Sequence, residues 1–160
     1  MPPRIENLTE KLLVGKRLKM SFVETRTTEL WRGFMPRRKE IENSNGSDLY
    51  SVEIYPRGFF DDFAPEKEFE KWAAIEVADF ENVPGDLETL MIPNGLYAVF
   101  LYRGKSSEGA GFYRYIFAEW LPNSEFLLDE RPHFALMGEK YKNDEPDSEE
   151  ELWIPVKPKE

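Results

Sequence analysis

Two glutamates inside strand-like segments are the side chains best suited to acid–base chemistry or to binding a cation. Glu53 lies in the alternating run Tyr50–Ile54, and Glu76 lies in the run Trp72–Val77. Because successive side chains of a strand point to opposite faces of a sheet, each glutamate points away from its apolar neighbours. If that face lines a pocket, burial raises the pKa of the carboxyl group, which could then pair with a cation or activate water. A strand face open to solvent is the alternative interpretation.

Large aromatic side chains on two predicted helices could form the walls of such a pocket. Trp31 and Trp120 occupy comparable places on the two helices, where they either stack on a flat or cationic ligand or anchor the core. Phe112 and Tyr115 lie off the main apolar stripe of the second helix, which makes them candidates for the pocket; ordinary surface aromatics are the alternative. The predicted ligand-binding residues are Trp31, Met35, Glu53, Glu76, Tyr97, Phe112, Tyr115, Trp120 and Phe134.

The composition excludes several kinds of site. The chain has no cysteine, which rules out disulfides, thiolate catalysis and zinc sites built on cysteine. His133 is the only histidine, so a site with several histidine ligands cannot form within one chain. Glycine-rich phosphate loops and the Gly-x-Ser-x-Gly motif of serine hydrolases do not occur in the sequence. We therefore expect no cofactor and no metal. Since His133 and Phe134 alternate along a strand, only one of them can face the groove predicted below.

Net charge and hydropathy limit the classes of partner that the chain can bind. The 160 residues carry a formal net charge of −10, which disfavours a nucleic-acid-binding surface and favours cationic ligands. Apolar runs all fall well short of the roughly 18 residues needed to span a bilayer. The first residues, MPPRIENLTEK, lack the apolar segment of a signal peptide. We expect a cytoplasmic protein that contacts neither membranes nor nucleic acid.

The periodicity predicts six strands and two helices. The first helix follows the capping threonines Thr25–Thr28, and the second begins at Ser106 or Ser107 and ends at Pro122. The second helix should bury Tyr113, Ile116, Phe117, Trp120 and Leu121. The predicted strands are Gly15–Phe22, Tyr50–Ile54, Trp72–Val77, Gly95–Tyr102, Phe134–Gly138 and Leu152–Val156.

The same order of elements occurs twice, which predicts an internal repeat. Gly15–Phe22 aligns with Gly95–Tyr102, and each half reads strand, helix, strand, strand. Chance agreement between two ordinary segments is the alternative. The predicted fold is α+β, with two strand–helix–strand–strand repeats related by a pseudo-two-fold axis. They share one antiparallel sheet, with two helices on one face and a ligand groove between the helices. The predicted domain spans residues 13–157, with repeats at about 13–80 and 86–157, after an N-terminal extension of residues 1–12.

Several motifs resemble those of one known family. The segments GLYAVFLYRG, WLPNSEFLLDERP, DERPHFALMGEKY and EEELWIPVKP are similar to the central strand, the helix end and the C-terminal motif of GyrI-like proteins. This family also supplies effector-binding domains of AraC-type and MerR-type regulators. The resemblance covers Leu13–Lys157 and implies the same repeated fold. It further implies a receptor for bulky, lipophilic or cationic small molecules.

One position departs from the family pattern. Many drug-binding relatives carry a glutamate directly after the phenylalanine of the Pro-x-Phe strand, at the floor of the pocket. In this sequence the position is Ala135. Any carboxylate in the groove must therefore come from another element.

The sequence leaves three functions open. The first is a stand-alone protein that senses or sequesters a bulky apolar, aromatic or cationic compound; with only residues 1–12 ahead of the predicted domain, we expect no attached DNA-binding domain. The second, implied by hydrolase relatives, is hydrolysis of electrophilic toxins such as cyclopropane-containing alkylators. The third, implied by a gyrase-inhibiting relative, is modulation of a protein partner through the acidic surface. Candidate catalytic residues for the second function are Glu76, Glu53 and Tyr115, with Tyr97 as another proton donor.

Overall fold

A curved antiparallel sheet forms the frame of the molecule. The computed structural model describes residues 2–159, and every strand pairing in it is antiparallel. Along the sheet the strands follow the order β1-β6-β9-β8-β3-β4-β2-β5, and the short strand β7 pairs with β9. The strands are β1 Arg4–Leu8, β2 Lys11–Met20, β3 Leu49–Ile54, β4 Phe69–Val77, β5 Glu88–Ile92, β6 Gly95–Arg103, β7 Phe126–Leu128, β8 His133–Met137 and β9 Glu149–Pro158.

The helices of both repeats pack on one face of this sheet. Helix α1, Thr27–Phe34, continues into the 3-10 turn Met35–Glu40 and buries Leu30 and Phe34 against the β2 and β4 side. A 3-10 turn at 106–108 leads into helix α2, Gly109–Tyr115. The chain then passes through a π-helical segment at 116–120 into the short helix α3 at 121–123. This arrangement confirms the predicted fold class. Within the described residues, no helix is both long enough and apolar enough to cross a membrane.

Strands β1 and β5 exchange places between the two halves of the sheet. Only Thr9 and Glu10 connect β1 to β2, yet β1 pairs with β6 while β2 pairs with β4 and β5. Pro93 and Asn94 form the equivalent link from β5 to β6. Because links this short must span from one end of the strand order to the other, the sheet curves until its ends approach each other. The backbone N–H of Glu10 donates a hydrogen bond to Asn94 Oδ1, 2.6 Å away, which joins the two links.

The sheet face that this curvature encloses forms a second apolar core. Its buried members come from both halves of the chain and include Leu8 and Ile92, which directly precede the two links. Burial on both faces explains the continuous apolar run Tyr97–Phe100 of β6. The members of this enclosed core are Leu8, Leu13, Tyr50, Val52, Trp72, Ala74, Ile92, Tyr97, Val99, Phe134 and Trp153.

Three strands of the structure, β1, β5 and β7, were not predicted from the sequence. Residues 1–12, predicted as an extension, include β1 and the start of β2, so Arg4–Leu8 is part of the sheet. Strands β5 and β7 lie in segments without a predicted element. All three are short, and each forms by pairing with a partner strand distant in sequence, which local patterns do not report.

Among the glycines of the sheet, Gly15 in β2 has the least room for a side chain. A Cβ atom there would lie 2.0 Å from the carbonyl oxygen of Ala73 and 2.7 Å from Ala74 Cα, both in the backbone of the neighbouring strand β4. We expect Gly15→Ala to lower the free energy of unfolding by about 3 kcal/mol, as measured by urea denaturation. As a control, Gly33→Ala in α1 meets nothing closer than Lys16 Cδ at 3.8 Å. It should leave stability unchanged or raise it by up to about 1 kcal/mol. Equal effects of the two substitutions would contradict this account of β2.

Candidate ligand-binding groove

A groove opens on the helix-bearing face of the sheet, above the central strands. It consists of two adjoining cavities of about 610 and 670 Å³, sizes typical of small-molecule sites. Glu53, Lys71 and Tyr113 line both cavities and mark the boundary between them. We call the first cavity the aromatic compartment and the second the polar compartment.

The aromatic compartment is walled by rings from three parts of the chain. Phe60 and Phe63 belong to the loop between β3 and β4, Phe22 follows β2, and Phe117 comes from the helical segment after α2. The Phe60 and Phe117 rings stack with centroids 5.5 Å apart and planes 19° apart. This ring stacking holds the loop against the helical wall. The residues lining the compartment are Phe22, Glu53, Tyr55, Phe60, Phe63, Phe69, Lys71, Ala110, Tyr113, Arg114, Phe117 and Ala118.

The polar compartment lies between α1 and the loop that joins β8 to β9. Trp31 supplies the largest apolar surface, and its ring meets Phe34 edge to face at 6.1 Å. Hydroxyl, amide and carboxyl groups make up much of the remaining lining. Its residues are Thr27, Thr28, Trp31, Arg32, Met35, Leu49, Ser51, Glu53, Lys71, Ser106, Tyr113, Ala135, Met137, Tyr141, Asn143 and Glu150.

A buried ion pair stands at the boundary of the two compartments. Glu53 and Lys71 face each other across β3 and β4, and their Oε2 and Nζ atoms are 3.8 Å apart. Their side chains are only 13% and 19% exposed. Burial raises the pKa of Glu53, while the Lys71 charge and a hydrogen bond from the Ser51 hydroxyl act in the opposite direction. Lys71 Nζ also donates to Thr27 Oγ1 at 3.4 Å, which ties the ion pair to α1.

Glu150 is the second titratable carboxyl group of the groove. Burial raises the pKa of Glu150 to about 7; the negative charge of Glu53 adds to the rise, and Lys71 opposes it. A carboxyl group with this pKa exchanges its proton near neutral pH, as a general base or a pH-sensitive ligand contact requires.

The two carboxylates flank the position where the family pattern has its own. Ala135 in β8 lies opposite Ser51 in β3 and opposite Leu152 in β9. Glu53 and Glu150 each lie two residues along from these partners, so both share a sheet face with Ala135. The carboxylates on this face of the sheet therefore belong to the neighbouring strands β3 and β9 rather than to β8.

Two tyrosines and the single histidine complete the groove's buried titratable groups. Burial, reinforced by the Glu53 charge, raises the pKa values of Tyr55 and Tyr113 well above the usual range. Both phenols therefore keep their protons and can donate hydrogen bonds. Burial, together with the positive charge of Arg131, lowers the pKa of His133 to about 3. The neutral His133 ring packs edge to face on Tyr55 at 4.9 Å, behind the aromatic wall.

Three of the residues predicted from the sequence to bind a ligand lie in the groove. Trp31 and Met35 line the polar compartment, and Glu53 lines both compartments. Trp31 and Glu53 come from different elements, α1 and β3, so the fold brings them together. Their role in binding remains a prediction.

Glu76, Tyr97 and Phe134 occupy the enclosed face instead, which corrects their expected placement. Glu76 pairs with Lys11 at 3.3 Å and accepts a hydrogen bond from the Tyr50 hydroxyl at 3.1 Å. Tyr97 and Phe134 belong to the enclosed core. Along its strand, each of the three alternates with residues that face the helices. The sequence alone does not determine which face of the sheet holds the groove.

The structure also places Phe112, Tyr115 and Trp120 away from the groove. Phe112 lies 5.4 Å from Tyr102, and Trp120 lies 5.1 Å from the ring of Phe100, all between the helix and β6. Tyr115 packs beside Phe112 at 6.1 Å. Residues 112, 116 and 120 recur every four positions above the sheet, whereas Tyr113 and Phe117 lie on the groove side.

Sequence reasoning missed four kinds of groove residue: Lys71, Glu150, the helix residues Tyr113 and Phe117, and the aromatic loop. The alternation of side chains along a strand could have placed two of them, Glu150 and Lys71, on the groove side. Glu150 alternates in phase with Leu152 and Ile154, and Lys71 alternates in phase with Ala73, all on the helix side. The aromatic loop was visible as a density of rings after β3, but nothing local indicates where such a loop folds. Within residues 2–159, no three acidic or histidine side chains converge as a metal site would require.

Comparison with known proteins identifies the family of this chain. The family model described as GyrI-like small molecule binding domain matches residues 1–157. The chain belongs to the GyrI-like family. Comparison with curated proteins found no match.

Solved structures share the GyrI-like fold at low sequence identity. The C-terminal domain of EcmrR has a TM-score of 0.71 at 16% identity, covering 98% of this chain and 97% of that one. SAV2435 bound to tetraphenylphosphonium has a TM-score of 0.69 at 15% identity, covering 98% of this chain and 94% of that one. A hydrolase from Listeria innocua is more distant, with a TM-score of 0.59 at 10% identity, covering 98% of this chain and 92% of that one. At these identities the likeness establishes the fold.

The raised pKa of Glu150 makes the stability of this GyrI-like domain depend on pH. Below about pH 4, the carboxyl group is protonated in both the folded and the unfolded chain, so the charge contributes nothing. Between about pH 4.5 and 7 the folded state retains a proton that the unfolded state has lost, so stability falls across this range; above about pH 7 both states are ionised and the loss is complete. We expect Glu150→Gln to raise the free energy of unfolding by about 2 kcal/mol at about pH 8.5.

Urea denaturation across the pH range tests this expectation. The gain should vanish near about pH 4. Glu139→Gln, which changes an exposed carboxylate in the β8–β9 loop, should give no such pH-dependent gain. A Glu150→Gln variant that is less stable than the wild type at high pH would contradict the assignment.

Proposed function

We propose that the protein senses or sequesters bulky, largely aromatic cations in this groove. The observation that carries the proposal is the position of Glu53, a desolvated carboxyl group at the edge of an aromatic-lined cavity. Such a group is unfavourable in the empty groove and becomes favourable when a cation with apolar surroundings replaces the lost water.

The ring-lined walls supply the second part of the attraction. Phe60, Phe63 and Phe117 present aromatic surface to the cavity. The faces of such rings attract cations, and their apolar area favours hydrophobic ligands. A compact cation surrounded by aromatic groups satisfies the carboxylate and the walls together, whereas a small hydrated cation leaves the walls in contact with water.

Tetraphenylphosphonium is a suitable probe for this proposal. It combines a buried positive charge with four phenyl rings, and SAV2435, a protein of the same fold, has been solved with it bound. We expect isothermal titration calorimetry to show binding by the wild type and a loss of about tenfold or more in Glu53→Gln, since one carboxylate charge is removed. Glu76→Gln removes an equally half-buried carboxylate from the enclosed face and should leave the affinity unchanged.

Two outcomes would contradict the proposal. One is equal affinity for a neutral analogue of similar shape, such as triphenylphosphine oxide, because the carboxylate would then contribute nothing. The other is a larger loss in Glu76→Gln than in Glu53→Gln, which would place the ligand on the enclosed face.

Binding of the cation should strengthen as the pH rises. Glu150 ionises around pH 7, and its negative charge then adds to that of Glu53. The dissociation constant for tetraphenylphosphonium should fall by a factor of about 3 to 10 between about pH 5.5 and 8.5. Glu150→Gln should flatten this profile, and an unchanged profile in that variant would show that another group is responsible.

The pKa of Glu150 also favours a second candidate function, hydrolysis of an electrophilic compound. A carboxylate with a pKa near 7 in a half-enclosed cavity suits activation of water, and the protonated Tyr113 can donate a hydrogen bond to the oxygen of a leaving group. Wild-type protein should then consume a cyclopropane-containing alkylator in a chromatographic assay, and Glu150→Gln should lose about a hundredfold in rate. Consumption no faster than in buffer would exclude this function for that substrate.

A further inference from the structure

The charges around the boundary of the two compartments do not balance. Glu53 and Glu150 are both near Lys71, and each of the two carboxyl groups is affected by the Lys71 charge. Among residues 2–159, Lys71 is one of three that line both compartments, together with Glu53 and Tyr113. Arg32 and Arg114 also line the compartments, but both are exposed, so solvent screens their charges. With both carboxylates ionised, the three poorly solvated groups, Lys71, Glu53 and Glu150, sum to one negative charge.

Lys71 is held in this position by its neighbours. The register places it directly opposite Glu53, its Nζ atom lies 3.8 Å from Glu53 Oε2, and it donates to Thr27 Oγ1 at 3.4 Å. Its side chain is 19% exposed. An ammonium group fixed this way cannot move into bulk water as a surface lysine does, so a ligand meets it as part of the site.

We propose that Lys71 sets the charge preference of the groove by neutralising one of the two carboxylates, Glu53 and Glu150, so that the groove selects ligands with one positive charge over ligands with two. This inference rests on the proposed binding of cations. A monocation brings the combined charge to zero. A dication leaves an excess positive charge in a poorly solvated site, where it is costly.

The chain offers a matched control for this lysine. Lys11 is also a half-buried lysine paired with a glutamate, since its Nζ lies 3.3 Å from Glu76 Oε2 with side chains 26% and 19% exposed. This pair lies on the enclosed face, outside both compartments. Lys11→Met therefore changes the net charge of the protein by the same amount as Lys71→Met without changing the groove.

The experiment compares tetraphenylphosphonium with an alkane-bridged bis(triphenylphosphonium) dication by calorimetry. In the wild type we expect the monocation to bind more tightly. In Lys71→Met the ratio of the two dissociation constants should shift toward the dication by about tenfold or more, while Lys11→Met and the charge-conserving Lys71→Arg keep the wild-type ratio. Because the ratio is taken within one protein, differences in ligand size cancel between variants.

A double variant keeps the test decisive if Lys71→Met folds poorly. Lys71→Met/Glu53→Gln removes both charges of the buried pair and restores the wild-type net charge of the groove, so its ratio should return toward that of the wild type.

Equal shifts in Lys71→Met and Lys11→Met would overturn the inference, since overall charge would then explain them. So would an unchanged ratio in Lys71→Met. A wild-type protein that binds neither cation overturns the proposed function and this inference with it, whereas monocation binding with an unshifted ratio overturns only the role of Lys71.

Discussion

The groove depends on the two short links that close the sheet. Thr9 and Glu10 on one side, and Pro93 and Asn94 on the other, each connect strands that lie far apart in the strand order. Such links are possible only when the sheet is strongly curved. Curvature gives the sheet one enclosed face, which fills with large apolar side chains, and one outer face, which carries the helices. The central strands β9, β8, β3 and β4 thereby become a rigid floor on which charged side chains are fixed.

The electrostatics of the floor follow from where water is excluded. Charged groups at the edge of an apolar cavity lose hydration and must find partners within the protein or in a ligand. Here the lysine of β4 partly satisfies the glutamate of β3, and the glutamate of β9 keeps its proton up to near-neutral pH. On the enclosed face, Lys11 and Glu76 form an ion pair, and Glu76 also accepts a hydrogen bond from the Tyr50 hydroxyl. The outer pair lines the groove under the helices, whereas Lys11 and Glu76 line a separate cavity of about 410 Å³ on the enclosed face.

The general architecture could be predicted from the sequence, whereas the lining of the groove could be predicted only in part. The repeat and the alternation of apolar residues report the order of strands and helices, because those patterns are set by local burial. They do not report which face of the sheet holds the groove. Glu53 and Glu76 have the same pattern, yet they point to opposite faces, since that assignment depends on how the ends of the sheet meet. Trp120 and Tyr113 show the same limit on a helix, since the apolar stripe does not report which of its edges faces the core and which faces the groove.

The central claim is that an aromatic cation occupies the aromatic compartment with its charge next to Glu53. The most direct measurement is a crystal structure of the protein in complex with tetraphenylphosphonium. The account predicts phenyl rings packed against Phe60 and Phe117, with Glu53 as the carboxylate nearest the phosphorus atom. A ligand bound on the enclosed face beside Glu76, or a groove closed by its own side chains at saturating ligand, would contradict it.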